Sequence, residues 1–203
     1  MANPKEQDLF KVFTVKQIRD ILSMPMPKEE ASQALESQID LFTAKTRVWL
    51  DSLSKPISSI QDVTDITNCI DAKDVPIPIE TGNKKSIPTI VMDLKCVVAG
   101  EARKGKKYGL TSPEPIGEVI KTDLTVWIEA QVSKSQIEVL KDKPANQLQA
   151  IRDFSLHVQT RYKKQAHDGQ DPNTFDNIIE DIHNQTKKAV TKLIKELKTL
   201  LSE

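Results

Sequence analysis

Aromatic side chains are scarce in this sequence: Phe, Trp and Tyr together make up 4% of 203 residues. A core built from it must be mostly aliphatic, and neither an aromatic-lined ligand pocket nor a base-stacking platform is expected. An excess of either charge is also missing. Lys plus Arg and Asp plus Glu each total 29, so the formal net charge is zero. That removes bulk attraction to nucleic acid or to an anionic membrane, and it leaves little repulsion between copies. Cysteine is limited to Cys69 and Cys96, far apart and with no second metal ligand beside either. They read as small buried hydrophobes in a reducing compartment, not as a disulfide framework. No apolar run is long enough to span a membrane, and the opening MANPKEQDLF carries no apolar signal region. The expectation is a cytoplasmic protein with no membrane span.

Catalytic and cofactor motifs are missing as well. His157, His167 and His183 have no partner at metal-ligand spacing. The oxygen-rich DGQD at 168–171 lacks the calcium-loop pattern and its closing Glu, and turn chemistry accounts for it. ARKGKKYG has glycines but not the spacing of a phosphate-cradling loop, and it does not open a helix. No serine stands in a nucleophile elbow, and neither cysteine has a histidine near it in sequence. No cofactor, metal or catalytic residue is assigned.

What is present is periodicity. Thr14 with Gln17 makes a capping-box pattern opening a short helix to Met24, with Val15, Ile18, Ile21 and Leu22 on one face. MPMP stops it. A second helix is expected from Lys28 to Leu53, with Ala31, Leu35, Ile39, Phe42, Trp49 and Leu53 as its apolar stripe, interrupted by Lys45 and Thr46. SKPISS then breaks the pattern. Val75, Ile77 and Ile79 alternate with Pro76 and Pro78, which reads as a strand at a sheet edge.

Two clearer strands follow. Ile90, Met92, Leu94, Cys96 and Val98 alternate with a mixed set, as do Leu124, Val126, Ile128, Ala130 and Val132. This is an antiparallel pair with one buried face. Trp127 falls on the mixed face, where a helix or a second copy would have to cover it. The intervening GEARKGKKYGLTSPEPIG reads as a long exposed loop. Its Arg103, Lys104, Lys106 and Lys107 are the candidate phosphate-binding residues. A third good strand runs from Phe154 to Tyr162.

The last helix is expected to start at Asp171 as N-cap with Pro172 behind it. It is acidic early (Asp176, Glu180, Asp181) and basic late (Lys187 to Lys198), which suits its dipole and also two antiparallel copies. At about 45 Å it exceeds the roughly 26 Å diameter of a compact half of this chain, so part of it should project or lie along another subunit.

These features point to an α+β fold. An antiparallel sheet of three to five strands is flanked by N-terminal helices and a long C-terminal amphipathic helix. The segments are 1–54, 60–165 and 171–203, in one folded unit. The functional expectation is a non-enzymatic structural or scaffolding protein that self-assembles into a homo-oligomer through its helices: a filament, shell or tube, a class that includes viral or phage coat-like roles. The self-association residues are Phe175, Ile179, Ile182, Leu193, Leu197 and Trp127. The alternative is a nucleic-acid-binding module using Arg103 to Lys107. A third reading is an enzyme whose site is assembled from distant residues.

Overall fold

Alternation and capping place the elements. The computed structural model describes residues 13–52, 63–80, 82–165 and 176–202. Helix α1 (Val15–Leu22) opens with the expected capping box: Thr14 accepts from the Gln17 amide, and the Gln17 side chain accepts from the Thr14 amide at 2.9 Å. Met24–Pro27 does more than stop α1. It forms a short strand, β1, paired with the start of β3 (Ser86–Tyr108). Helix α2 spans Lys28–Ser52, with Glu29 and Glu30 in its first turn. Strands β2 (Val63–Pro78), β3, β4 (Pro115–Val132) and β5 (Ser155–Gln165) form an antiparallel meander. Two short helices, α3 (Lys134–Val139) and α4 (Ala145–Asp153), join β4 to β5. Helix α5 (Asp176–Ser202) closes the fold.

The fold class is therefore α+β, with an antiparallel curled sheet between N-terminal helices and a long C-terminal helix. The inward set on β3 is the one the alternation selects, Ile90 to Val98, and Leu124 to Val132 faces inward on β4. Helices α2 and α5 cover that face. Core residues come from the N-terminal helices, the sheet and α5 together. The gap in the α2 stripe closes through Thr46, which is buried because its hydroxyl donates back to the Phe42 carbonyl at 2.8 Å. Leu50 completes the stripe, while Trp49 is only partly buried.

The prolines of β2 sit at an edge, as expected: Pro76 and Pro78 pair with β3 on one side, and the other needs no donor. A bulge between Ala72 and Val75 turns the strand. Asp74 there adopts φ 53°, and Asp93 holds the turn by accepting from the Asp74 amide and from Lys73, both at 3.1 Å. Further along β3, Gly100 runs so close to β4 that an added Cβ would stand 2.1 Å from the Asp123 carbonyl oxygen.

One buried polar residue ties three elements. Gln136, on α3, accepts from the Val91 amide at 2.7 Å and donates to the Leu22 carbonyl at 2.6 Å. It fills the stretch of β3 edge between β1 and the end of β4, acting as a one-residue substitute for a strand. No helix among the described residues is long and apolar enough to cross a membrane.

Candidate interaction site

The expected helical contact surface lies inside the chain. Ile179, Ile182, Leu193 and Leu197 are all buried against the chain's own α2, β4 and β5. They supply the monomer core, so these four side chains are not free to meet another copy, which corrects the expectation drawn from helix length. The comparison with a compact sphere fails for a physical reason. A strand advances about 3.3 Å per residue against 1.5 Å for a helix, so the 18-residue β4, on which α5 packs, outreaches that 27-residue helix. The charge pattern is also used internally: Glu180 forms an ion pair with Arg47 of α2, and Lys192 with Glu196. Phe175, Asp171 and Pro172 lie outside the described residues.

Trp127 stands on the sheet face opposite the helices, in register between Val97 and Gln159. Among the described residues no helix covers it. Partial cover comes from its own neighbours, and its Nε1 donates to Glu129 at 3.3 Å. The rest of that face is laced with ion pairs. Arg161 donates to both oxygens of Asp123, at 2.7 and 2.5 Å, with Lys163 3.6 Å away. The Arg161 hydrogen bond holds the Asp123 carboxyl below its usual range, with further help from the nearby charges of Arg161 and Lys163. Lys95 reaches Glu129 at 3.9 Å. Apart from buried Val97 and half-buried Trp127, such a face is polar and self-satisfied, with little to offer an apolar partner.

The basic segment is not a loop. Arg103, Lys104, Lys106 and Lys107 lie on β3, in register with Lys121, Ile120, Glu118 and Gly117 of β4. The connecting turn is only 109–114. The glycines and lysines that suggested a loop form an extended hairpin, because cross-strand pairing overrides their weak strand propensity. Arg103 lies 3.6 Å from Glu101, so part of its charge is answered locally.

The two cysteines differ. Cys96 is buried, and burial pushes its thiol up to about 12, with a smaller push from Cys69. Cys69 is exposed, correcting the expectation that both are buried. They occupy opposite faces of the sheet, since Cys69 pairs with Val97 and Cys96 with Ile70. Among the described residues no group of His, Cys, Asp and Glu is arranged to hold a metal. The Nδ1 of His183 is buried without a hydrogen-bond partner.

Sequence reasoning missed two features. The first is a groove of about 650 Å³ between α2 and the outer edge of β2, lined by Ala44, Val48 and Trp49 on one side and Asn68 to Asp71 on the other. Val48 is 72% exposed. Its signal was an aliphatic residue off the α2 stripe. The second is the hairpin tip, where Tyr108, Leu110 and Ile116 are exposed and Leu110 fully so. Aliphatic residues inside a Gly- and Pro-rich turn were the sign.

No family model matches the chain, and no curated protein or solved structure is measurably similar to it.

Proposed function

We propose that this protein is a non-enzymatic assembly subunit whose copies join through the edges of the sheet, not through the helices. The observation that carries this reading is the outer edge of β2. Beyond its pairing with β3 it has no strand partner among the described residues, and it borders the groove walled by Val48 and Trp49. An unpaired strand presents a row of backbone donors and acceptors, and an extended segment laid beside it gains hydrogen bonds from the edge and apolar contact from the helix.

The chain carries a candidate partner for that edge. β5 is the other outer strand of the meander, paired with β4 on one side. Two unlike edges on one subunit support head-to-tail association, which closes as a ring or continues as a filament. The zero net charge offers little opposition.

Mass in solution, by light scattering over a concentration series, tests the reading. The wild type should exceed the 22.8 kDa of one chain. Val48→Lys should lower the mass toward one chain without changing the melting temperature, because the side chain is exposed in the monomer. A wild type of monomer mass throughout, or a Val48→Lys variant of unchanged mass, rejects it.

A further inference from the structure

The tip of the β3–β4 hairpin combines two properties found nowhere else together among the described residues. It presents three exposed apolar side chains, Tyr108 (57%), Ile116 (60%) and the fully exposed Leu110. It also heads the basic run Arg103–Lys107 of β3. From Arg103 to Lys121 there are five basic residues and two acidic ones, in a chain of zero net charge. The turn is held by its own bonds: the Ser112 hydroxyl accepts from the Glu114 amide at 3.3 Å and approaches its carbonyl at 3.2 Å. Leu110 stands outward on this turn.

We propose that this hairpin docks on an anionic lipid surface, with Leu110, Tyr108 and Ile116 entering the interface and Lys106 behind them meeting the headgroups. Spacing supports this occupant. Counted from Leu110 at about 3.3 Å per strand residue, Tyr108 lies roughly 7 Å back and Lys106 about 13 Å. Apolar groups of interfacial proteins reach about 5–10 Å into the headgroup and acyl boundary, which leaves Lys106 at headgroup depth. Lys106 is exposed, and the side chain of Lys121 lies against Gly105 on the neighbouring strand.

Chemistry separates the alternatives. Nucleic acid would use the lysines but gain nothing from exposed Leu110 and Ile116, which neither stack on bases nor form hydrogen bonds. A second copy brings the same basic hairpin and no net negative charge to meet it. An anionic bilayer interface rewards both features at once.

Sedimentation with vesicles tests the inference on the full chain. Mixed phosphatidylcholine–phosphatidylserine vesicles are compared with pure phosphatidylcholine at physiological ionic strength. The wild type should bind the mixed vesicles more tightly. Leu110→Ser should weaken that binding about tenfold or more, given the free energy of each buried methylene. Lys106→Ala should weaken it about fivefold on anionic vesicles and leave the neutral ones unchanged. Both side chains are exposed, so melting temperatures should match the wild type and exclude misfolding as the cause. Val48→Lys should bind vesicles as the wild type does, which separates this inference from association through β2. Failure of the wild type to sediment, or wild-type binding by Leu110→Ser, overturns it. So does a result in which duplex DNA binds through Lys106 while Leu110→Ser has no effect on vesicle binding. Loss of copy-to-copy association in Leu110→Ser without vesicles would reassign the tip to a protein contact and equally overturn it.

Discussion

Truncating Leu193 to alanine distinguishes a core helix from an interface helix. Leu193 lies midway along α5 with none of its surface exposed, among residues of the single buried cluster that spans sheet and helices. The substitution removes three buried carbons and leaves a cavity that a sheet-backed helix can close only in part. Leu→Ala at such sites costs about 2–5 kcal/mol, the upper part where the surroundings cannot collapse. Taking about 3 kcal/mol and a shift of roughly 2–4 °C per kcal/mol for a domain of this size, the melting temperature should fall by about 6–12 °C. Thermal and urea unfolding followed by circular dichroism read this directly, with light scattering on the same samples. Lys192→Ala, one residue away and exposed, is the control and should stay within about 0.5 kcal/mol of the wild type. If Leu193→Ala melts with the wild type and instead lowers the mass, Leu193 faces another subunit, and the assignment of α5 to the monomer core is wrong.

Three further outcomes follow from named contacts. Gln136→Leu strands the Val91 amide and the Leu22 carbonyl; at about 1–3 kcal/mol for each buried unpaired group, the urea midpoint should drop by the equivalent of roughly 2–6 kcal/mol, and an unchanged midpoint would mean that water already serves these groups. The native protein should expose one reactive thiol, Cys69, to a colorimetric disulfide reagent and two after denaturation, because Cys96 is buried with its ionisation pushed to about 12; rapid labelling of two thiols in the folded protein would contradict the β3 packing. Asp123 is held below its ordinary carboxylate range by the Arg161 hydrogen bond, so its contribution is present above about pH 4, where the unfolded group ionises, and is lost as pH falls through the folded value. Asp123→Asn should therefore flatten the acid limb of stability against pH, and an identical limb would show that the pair is absent in solution.

Elements with local signals were legible in the chain. Thr14 and Gln17 are three residues apart, so the cap of α1 was written in the chain. Strict alternation from Ile90 to Val98 and from Leu124 to Val132 fixed which face of β3 and β4 is buried, since side chains change sides at every residue. Pro76 and Pro78 placed β2 at an edge because they lack donors. Amphipathicity gave α5 its inward stripe, but it could not say which partner buries that stripe. Packing settled that Ile179, Ile182, Leu193 and Leu197 face the chain's own sheet, because a strand as long as β4 supplies a backing that a compact sphere lacks. It also turned the lysine- and glycine-rich segment after Gly100 from a loop into strand, since ladder hydrogen bonds to β4 outweigh local preference. The groove at Val48 and the Gln136 bridge join residues by register and packing across long sequence separations, and no local pattern encodes such meetings.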